Sequence, residues 1–463
     1  MLASIITGPD LFSAKRQIKN SSNADLIELR LDYLDSIAID KVKKLMVYSG
    51  KKVIFNLTTA ENGGKYSQNE KKMLYDLENL FSLKPAYFDL ASNISFDFVQ
   101  RMHEKYPEVE IITSYHNLKF TEDNLEQLFE KIKNPYAKFY KIVCYANSTI
   151  DALRMIDFLK KNKTDNLIAF SLGERGSFSR VISQIFNSRI VYGFVDKKIN
   201  EGQISIDDLV NIYNIKNINE KTDIYALLAD PIEPSLSHVY HNSIFKEQNK
   251  NSVYVKIKLN VQEMNLFFNL VKDLPFSGFS VSMPLKEKAI HFLDENNSPF
   301  DAVNTILVKD RKLIGYNTDG IAALDAVERK MKVKDKKVVI LGAGGSAKAI
   351  AYEAKKRGAE VVIINRDETK AIGLASKLKC RAFPLSKIRE VLFEGYNILI
   401  NATSSSMENI SLVPIECLIS GTIVMDIVTR PVDTILLKEA NIKGCVVLYG
   451  MEMFINQAAL QFN

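Results

Sequence analysis

The sequence predicts an α/β protein with two unlike halves: an N-terminal (β/α)8 TIM barrel, then a two-lobed α/β region whose second lobe is a Rossmann-type domain. Three observations predict it. Over about the first two hundred residues, eight short β-branched and aromatic runs alternate with amphipathic, Lys/Glu-rich segments of helical period. Between residues 338 and 365 an apolar strand leads into a glycine turn, a helix and a second apolar strand. A chain of 463 residues is also too long for one ordinary core.

The eight runs are, in order, SIITG from Ser4, LIELRLD from Leu26, KVIFNLT from Lys52, YFDLA from Tyr87, EIITSYHN from Glu110, YKIVCYA from Tyr140, LIAFSLG from Leu167 and IVYGFV from Ile190. Segments such as NEKKMLYDLENLFSL and SFDFVQRMHEKY supply the helices between them. Eight strands alternating with helices meet the requirement of the barrel, which is assigned to residues 1–215. The polar passage DDLVNIYNIKNINEKTDI reads as the last barrel helix and a linker. A new strand opens at IYALLAD from Ile224, beginning a first lobe over 224–330, and the βαβ lobe spans 331–440.

With 46% hydrophobic and 25% charged residues the composition is that of a globular protein. The apolar runs are short and broken by charge, and no basic region precedes the brief apolar stretch at the N-terminus. Neither a membrane span nor a signal peptide is expected, and the expected location is cytoplasmic. Cys144, Cys380, Cys417 and Cys445 are scattered without metal or redox spacing, so reduced thiols and no metal are expected. The net charge of +6 is interspersed, which argues against a nucleic-acid surface and suits small anionic substrates. Oligomeric state is not legible.

In such a barrel, chemistry collects at the C-terminal ends of the strands. The polar residues there are Glu28, Arg30, His116, Lys141 and Arg180. Lys141 stands out, because FYKIVCYA (residues 139–146) otherwise reads as a strand buried on both faces. A lysine at a strand can snorkel to solvent, and a lone histidine can be structural. An unpaired lysine in an apolar setting would instead have its pKa lowered by desolvation, leaving free amine to attack a ketone. The resulting protonated imine acidifies the neighbouring carbon for a base, and His116 at the preceding strand end is the candidate.

In the second half, VVILGAGGSAKAI fits G-x-G-x-x-A through Gly342, Gly344 and Ala347, with Ala343, Gly345 and Ser346 in the same turn. Glycines allow the turn and close approach to a pyrophosphate, whose charge sits on N–H groups at the helix start. The second strand ends in Asn365-Arg366-Asp367, with Lys370 one turn on. Arg366 and Lys370 favour NADP, whereas Asp367 argues for NAD.

The motifs ELRLD (28–32), TSYHN (113–117), Lys141, SRVISQIF with Arg180, and EGQIS with Gln203 resemble type I 3-dehydroquinate dehydratase. The resemblance implies that Lys141 forms an imine with the substrate ketone and that His116 moves the protons. It implies that Arg180 binds the carboxylate, while Glu28, Arg30 and Gln203 bind hydroxyls and orient the histidine. Thr58, Asn62 and Ile199 stand where that family has an arginine, a glutamate and a serine, so a non-catalytic barrel that serves for binding or regulation is the alternative.

The motifs DPIEPSLSHVYHN, GFSVSMPLKEKA, AVNTI, GYNTDGI, NATSSSM and YGMEMFINQAALQF together resemble shikimate dehydrogenase. That resemblance implies a C-terminal helix within 441–463 that returns to the first lobe, a proton relay of Lys286 and Asp319, substrate contacts from Ser235, Ser237, Ser282, Asn304 and Gln457, and a cofactor set that includes Gly450. Thr429, Asp367 and Glu452 depart from its pattern. The two halves imply successive reactions, with 3-dehydroquinate and 3-dehydroshikimate as the small-molecule substrates, or a quinate-preferring second half as an alternative.

Overall fold

The computed structural model describes residues 1–164, 166–232 and 235–462. Strands β1 Leu2–Ile6, β2 Leu26–Arg30, β3 Lys52–Asn56, β4 Tyr87–Ala91, β5 Glu110–Asn117, β6 Ala137–Tyr145, β7 Leu167–Leu172 and β8 Val191–Phe194 follow the eight predicted runs. They pair in the order β7–β6–β5–β4–β3–β2–β1–β8, with every neighbouring pair parallel. The seam from β7 to β8 is held more lightly. There Arg189 N–H donates to the Leu167 carbonyl at 3.0 Å, and Ala169 N–H donates to Ser188 Oγ at 3.2 Å.

Alternation along each strand sorts side chains into two clusters. One set, including Ile27, Leu29, Val53, Phe55 and Phe88, packs with residues of the helices Leu11–Lys19, Ile39–Ser49 and Glu70–Phe81. The other, including Ile5, Leu26, Ile54, Ile112, Val143 and Phe170, packs with itself and is therefore the barrel interior. Glu28, Asn56, Asp89, Ser114, His116 and Lys141 lie at the interior phase of their strands, toward the C-terminal ends. Helices begin where capping residues stand, as at Asn69 and at the reciprocal cap of Ser148 with Asp151.

Six further strands, β9 Asp223–Ala229, β10 Ser252–Lys258, β11 Phe276–Val281, β12 Glu295–Asn296, β13 Thr305–Lys309 and β14 Lys312–Tyr316, form a sheet ordered β10–β9–β11–β13–β14–β12. The last six are β15 Lys337–Leu341, β16 Glu360–Asn365, β17 Arg381–Pro384, β18 Ile398–Asn401, β19 Ile423–Asp426 and β20 Val446–Leu448. They form a parallel sheet ordered β17–β16–β15–β18–β19–β20. Strand order reverses at β15, which places a ligand crevice beyond the carboxyl ends of β15 and β18. Both faces of this sheet are covered, by Val338, Ile340 and Ile363 in one apolar cluster and Val339, Leu341 and Ile364 in another.

By compactness the chain divides into two units, Met1–Ala226 with Asn242–Phe276, and Leu227–His241 with Ser277–Asn463. Within the first unit, Arg175 pairs with Glu263 at 2.8 Å and Lys258 with Glu174 at 2.6 Å, which restrains the loop after β7. Among the described residues no helix is long and apolar enough to cross a membrane.

Phe88 is fully buried and stacks on Phe81 with ring centroids 4.3 Å apart. Phe88→Ala is expected to destabilise the barrel by about 3–5 kcal/mol, read from chemical denaturation; a loss under about 1 kcal/mol would contradict this packing.

Candidate active sites

Inside the barrel, Lys141 Nζ lies 2.9 Å from Asp89 Oδ2 and 3.5 Å from Glu28 Oε1, and 4.3 Å from the centre of the Tyr192 ring. All four side chains are buried. They come from β2, β4, β6 and β8, and so form one interior layer drawn from alternate strands. The expectation of an unpaired amine with a lowered pKa is corrected here. Burial alone would push the ammonium down, but Asp89, followed by Tyr192 and Glu28, raises Lys141 above the ordinary lysine value. Despite its own burial, Asp89 is held below the usual carboxylate range by Lys141. Lys141 rests as a charged amine inside the protein and does not snorkel.

His116 sits opposite Val143 at the end of β5. Burial, and then the Lys141 cation, depress its pKa to about 3, with Asp89 opposing. The imidazole is therefore neutral at ordinary pH and free to accept a proton. Arg30 is fixed by a two-pronged bond to Asp32, Nε to Oδ1 at 2.9 Å and Nη2 to Oδ2 at 2.8 Å, and Asp32 also accepts the Lys65 N–H at 3.0 Å. Burial lowers the Arg30 pKa but Asp32 more than restores it.

Among the described residues Arg180 has no such partner. It is 2% exposed, its guanidinium lies 4.3 Å from the centre of the Phe170 ring, and its Nε has no hydrogen-bond acceptor among them. Burial alone pushes its pKa down to about 9. A guanidinium left desolvated beside the interior ring of β7 is complementary to an anion brought by a ligand.

Gln203, in the loop after β8, accepts the N–H groups of Ile199 at 2.6 Å and Asn200 at 3.2 Å, while Ile199 packs on the interior cluster. Asn62 donates to Thr59 Oγ1 within its own loop at 3.2 Å. Thr58 donates to Asn56 Oδ1, and Asn56 Nδ2 donates to Glu28 Oε1 at 3.0 Å. Asp89, Asn56 and Tyr192 were missed from sequence, although Asp89 in YFDLA breaks an apolar strand just as Lys141 does.

The second site is a cavity of about 420 Å³ lined by Ser235, Ser237, Ser282, Lys286, Asp319 and Gln457, together with Gly344, Gly345, Ser346 and Gly450. Lys286 Nζ donates to Asp319 Oδ2 and, at 3.0 Å, to Ser346 Oγ, which in turn donates to Asp319 at 2.9 Å. Ser235 Oγ donates to Ser237 Oγ at 3.0 Å. Asn304 lies behind the lining. Its Nδ2 donates to Asp319 Oδ1 at 2.7 Å, to Thr318 Oγ1 at 2.9 Å and to Gln457 Oε1 at 3.1 Å, so it aims the carboxylate. Gln461, a lining residue missed from sequence, accepts from Ser280 at 2.9 Å and donates to the Asn304 carbonyl at 3.0 Å.

The turn from Gly342 to Ala347 suits a pyrophosphate. Gly342 has φ +114°, a region that excludes most side chains, and a Cβ on Gly344 would meet no atom within 4 Å. The helix Gly345–Lys356 starts without a side-chain cap or an acidic residue in its first turn, which leaves N–H groups for an anion. A Cβ on Gly345 would lie 3.2 Å from Lys286 Cβ, so the turn packs directly on the lysine. At the end of β16, Asp367 caps its own helix by accepting the Lys370 N–H at 3.2 Å, Asn365 donates to the Asp367 carbonyl at 2.9 Å, and Arg366 is exposed. Among the described residues no group of His, Cys, Asp or Glu is placed to hold a metal.

The chain matches family models for type I 3-dehydroquinase over residues 2–220, for the shikimate dehydrogenase substrate binding domain over 227–306, and for shikimate/quinate 5-dehydrogenase over 325–436. It is 32% identical over its full length to the shikimate biosynthesis protein AroDE of Chlamydia pneumoniae, covering 94% of that protein. Over 95% of its length it is 33% identical to the chloroplastic bifunctional 3-dehydroquinate dehydratase/shikimate dehydrogenase of Arabidopsis thaliana, covering 77% of it. Over 53% of its length it is 42% identical to the shikimate dehydrogenase (NADP(+)) of Pyrococcus furiosus, covering 90% of that relative.

Two outcomes follow from the electrostatics of the barrel. Because burial and Lys141 both disfavour the imidazolium, His116 is expected to stay neutral from pH 8 down to pH 5 in proton–nitrogen correlation spectra; a midpoint near the ordinary histidine value of 6.5 would contradict its placement. Arg180→Met removes a buried cation with no counter-ion among the described residues, so the ligand-free chain is expected to melt at the same temperature or higher; a large drop would show that Arg180 serves the fold.

Proposed function

The chain belongs to the family that joins a type I 3-dehydroquinase to a shikimate dehydrogenase in one polypeptide, and from that membership we propose how its own residues divide the work. It is a bifunctional enzyme of the shikimate pathway. The barrel dehydrates 3-dehydroquinate to 3-dehydroshikimate, and the second half reduces that product to shikimate.

The barrel's part is carried by one observation: a buried Lys141 shares its interior with a neutral His116 and with an Arg180 that has no counter-ion among the described residues. Arg180 takes the substrate carboxylate through two parallel N–H bonds. Lys141 first loses a proton, for which Asp89 at 2.9 Å is the nearest acceptor. The freed amine attacks the ketone carbon, a C–N bond forms, and, with the proton given back from Asp89, the ketone oxygen leaves as water and the product is a protonated imine. His116 removes a proton from the adjacent carbon, and the hydroxyl on the next carbon departs with that proton as a second water. Water then cleaves the imine, restoring Lys141 and the ketone. Glu28, Arg30 and Gln203 position the ring hydroxyls.

In the second half the cofactor is NADP, supported by the uncapped helix start at Gly345, by Arg366, and by the use of Asp367 as a helix cap instead of a ribose ligand. The P. furiosus relative carries NADP in its name. Gly342, Ala343, Gly344, Gly345, Ser346 and Ala347 would hold the pyrophosphate, Asn365, Arg366 and Lys370 the phosphorylated ribose, with Gly450 completing the set; when bound, the cofactor supplies a hydride. The Lys286 ammonium, held by Asp319 and Ser346, protonates the oxygen of the reduced ketone. Ser235, Ser237, Ser282 and Gln457 orient the substrate from the same cavity. Asn304 keeps Asp319 aimed at the lysine.

A coupled assay tests both halves. The purified chain is expected to oxidise NADPH when given 3-dehydroquinate. Lys141→Ala should abolish this while leaving full activity with 3-dehydroshikimate; a wild-type chain active only with 3-dehydroshikimate would instead establish a non-catalytic barrel. Lys286→Ala is expected to lower reduction by about 100-fold or more with nucleotide binding retained, and unchanged turnover would remove Lys286 from the mechanism.

A further inference from the structure

Asn56 is 4% exposed and occupies the interior phase of β3, between β2 and β4. Its Nδ2 donates to Glu28 Oε1 at 3.0 Å and to Asp89 Oδ2 at 3.4 Å, the same two oxygens that face Lys141 Nζ at 3.5 and 2.9 Å. One amide nitrogen and one ammonium thus bridge the same pair of carboxylates from two sides.

The two ends of an asparagine amide have nearly the same shape, so its neighbours decide which end faces an anion. Ionised Glu28 and Asp89 can only accept and so draw the NH2 group toward them, and Thr58 supports that orientation because its hydroxyl donates to Asn56 Oδ1. The reverse orientation would turn the amide oxygen onto two buried carboxylates. Two such carboxylates with a single cation between them tend to share a proton, unless a second donor supports the ionised form.

The other groups acting here are few. Lys141 meets Asp89 from β4, Glu28 from β2 and Tyr192 from β8, while His116 of β5 is neutral and Arg30 of β2 is bound to Asp32. The interior residues of β1 and β7, such as Ile5, Ile168 and Phe170, are apolar.

We propose that Asn56, aimed by Thr58, is a positioning residue for the dehydration: it keeps Glu28 and Asp89 both ionised and turned onto the Lys141 amine, so that Asp89 can receive the amine's proton when the ketone arrives. The proposal rests on the reading of Lys141 as the amine that forms the imine. It also gives a task to Thr58, which replaces the arginine found at that position in the family.

The test uses the full chain and three variants, Asn56→Leu, Thr58→Val and Thr58→Ser. Two quantities are read for each: the rate of dehydration of 3-dehydroquinate, and the pH at which cyanate begins to carbamoylate Lys141, followed by peptide mass. Reduction of 3-dehydroshikimate serves as an internal control. Asn56→Leu is expected to lower dehydration roughly tenfold or more and to move the alkaline onset of carbamoylation down by about one pH unit, since the carboxylates then hold the ammonium less strongly. Thr58→Val should act in the same direction by a smaller amount, and Thr58→Ser should match the wild type. A purely structural role would leave the carbamoylation onset where it was.

If Asn56→Leu does not fold, Thr58→Val decides, because only one hydroxyl is exchanged. Wild-type onset and turnover in Thr58→Val, or in both variants, overturns the positioning role. A wild-type chain from which borohydride traps no imine with 3-dehydroquinate overturns the reading of Lys141 itself, and the proposal with it; trapping in the wild type with unshifted variants overturns the positioning role alone.

Discussion

An ammonium group inside a barrel is tolerated only where carboxylates meet it, and Lys141 is met by Asp89 and Glu28. Breaking a buried pair of this kind by removing one partner costs about 3–5 kcal/mol. The rest of the barrel site is arranged around that constraint. Four alternate strands must be in register for Glu28, Asp89, Lys141 and Tyr192 to share one layer, and burial, reinforced by the Lys141 cation, lowers the His116 pKa. In the proposed mechanism the amine becomes a nucleophile only after its proton has a place to go.

The two lysines differ in ways that suit different chemistry. Lys141 is 4% exposed and is shared by two carboxylates and an aromatic ring, so a substrate must enter the barrel to reach it. Lys286 lines an open cavity, is held by one carboxylate, and rests against the glycine turn through Ser346 and Gly345. Its position beside that turn suits the part of proton donor proposed for it. Asn56 and Asn304 play parallel parts, each bonding the carboxylate that faces its lysine.

Local pattern carried much of this. The eight strands were visible as apolar runs, and Lys141 was visible as a charge that interrupts one. The starts of β1 and β6 were read late, at Ser4 instead of Leu2 and at Tyr140 instead of Ala137; in β6 the exposed Lys138 disguises the entry to the strand. The protonation state of Lys141 was read in the wrong direction for a physical reason. Burial is a local property of a strand, whereas the decisive carboxylate lies 52 residues away in sequence and two strands away in the barrel. Asn304 stood out as a polar residue in a motif, but nothing local distinguishes an asparagine that touches substrate from one that aims the aspartate behind it.

Reduction with borohydride in the presence of 3-dehydroquinate, followed by peptide mass analysis, tests the central claim most directly. A single adduct on the peptide that carries Lys141, dependent on substrate and lost in Lys141→Ala, is the predicted result. Dehydration that proceeds at full rate with no adduct on that peptide would contradict the account.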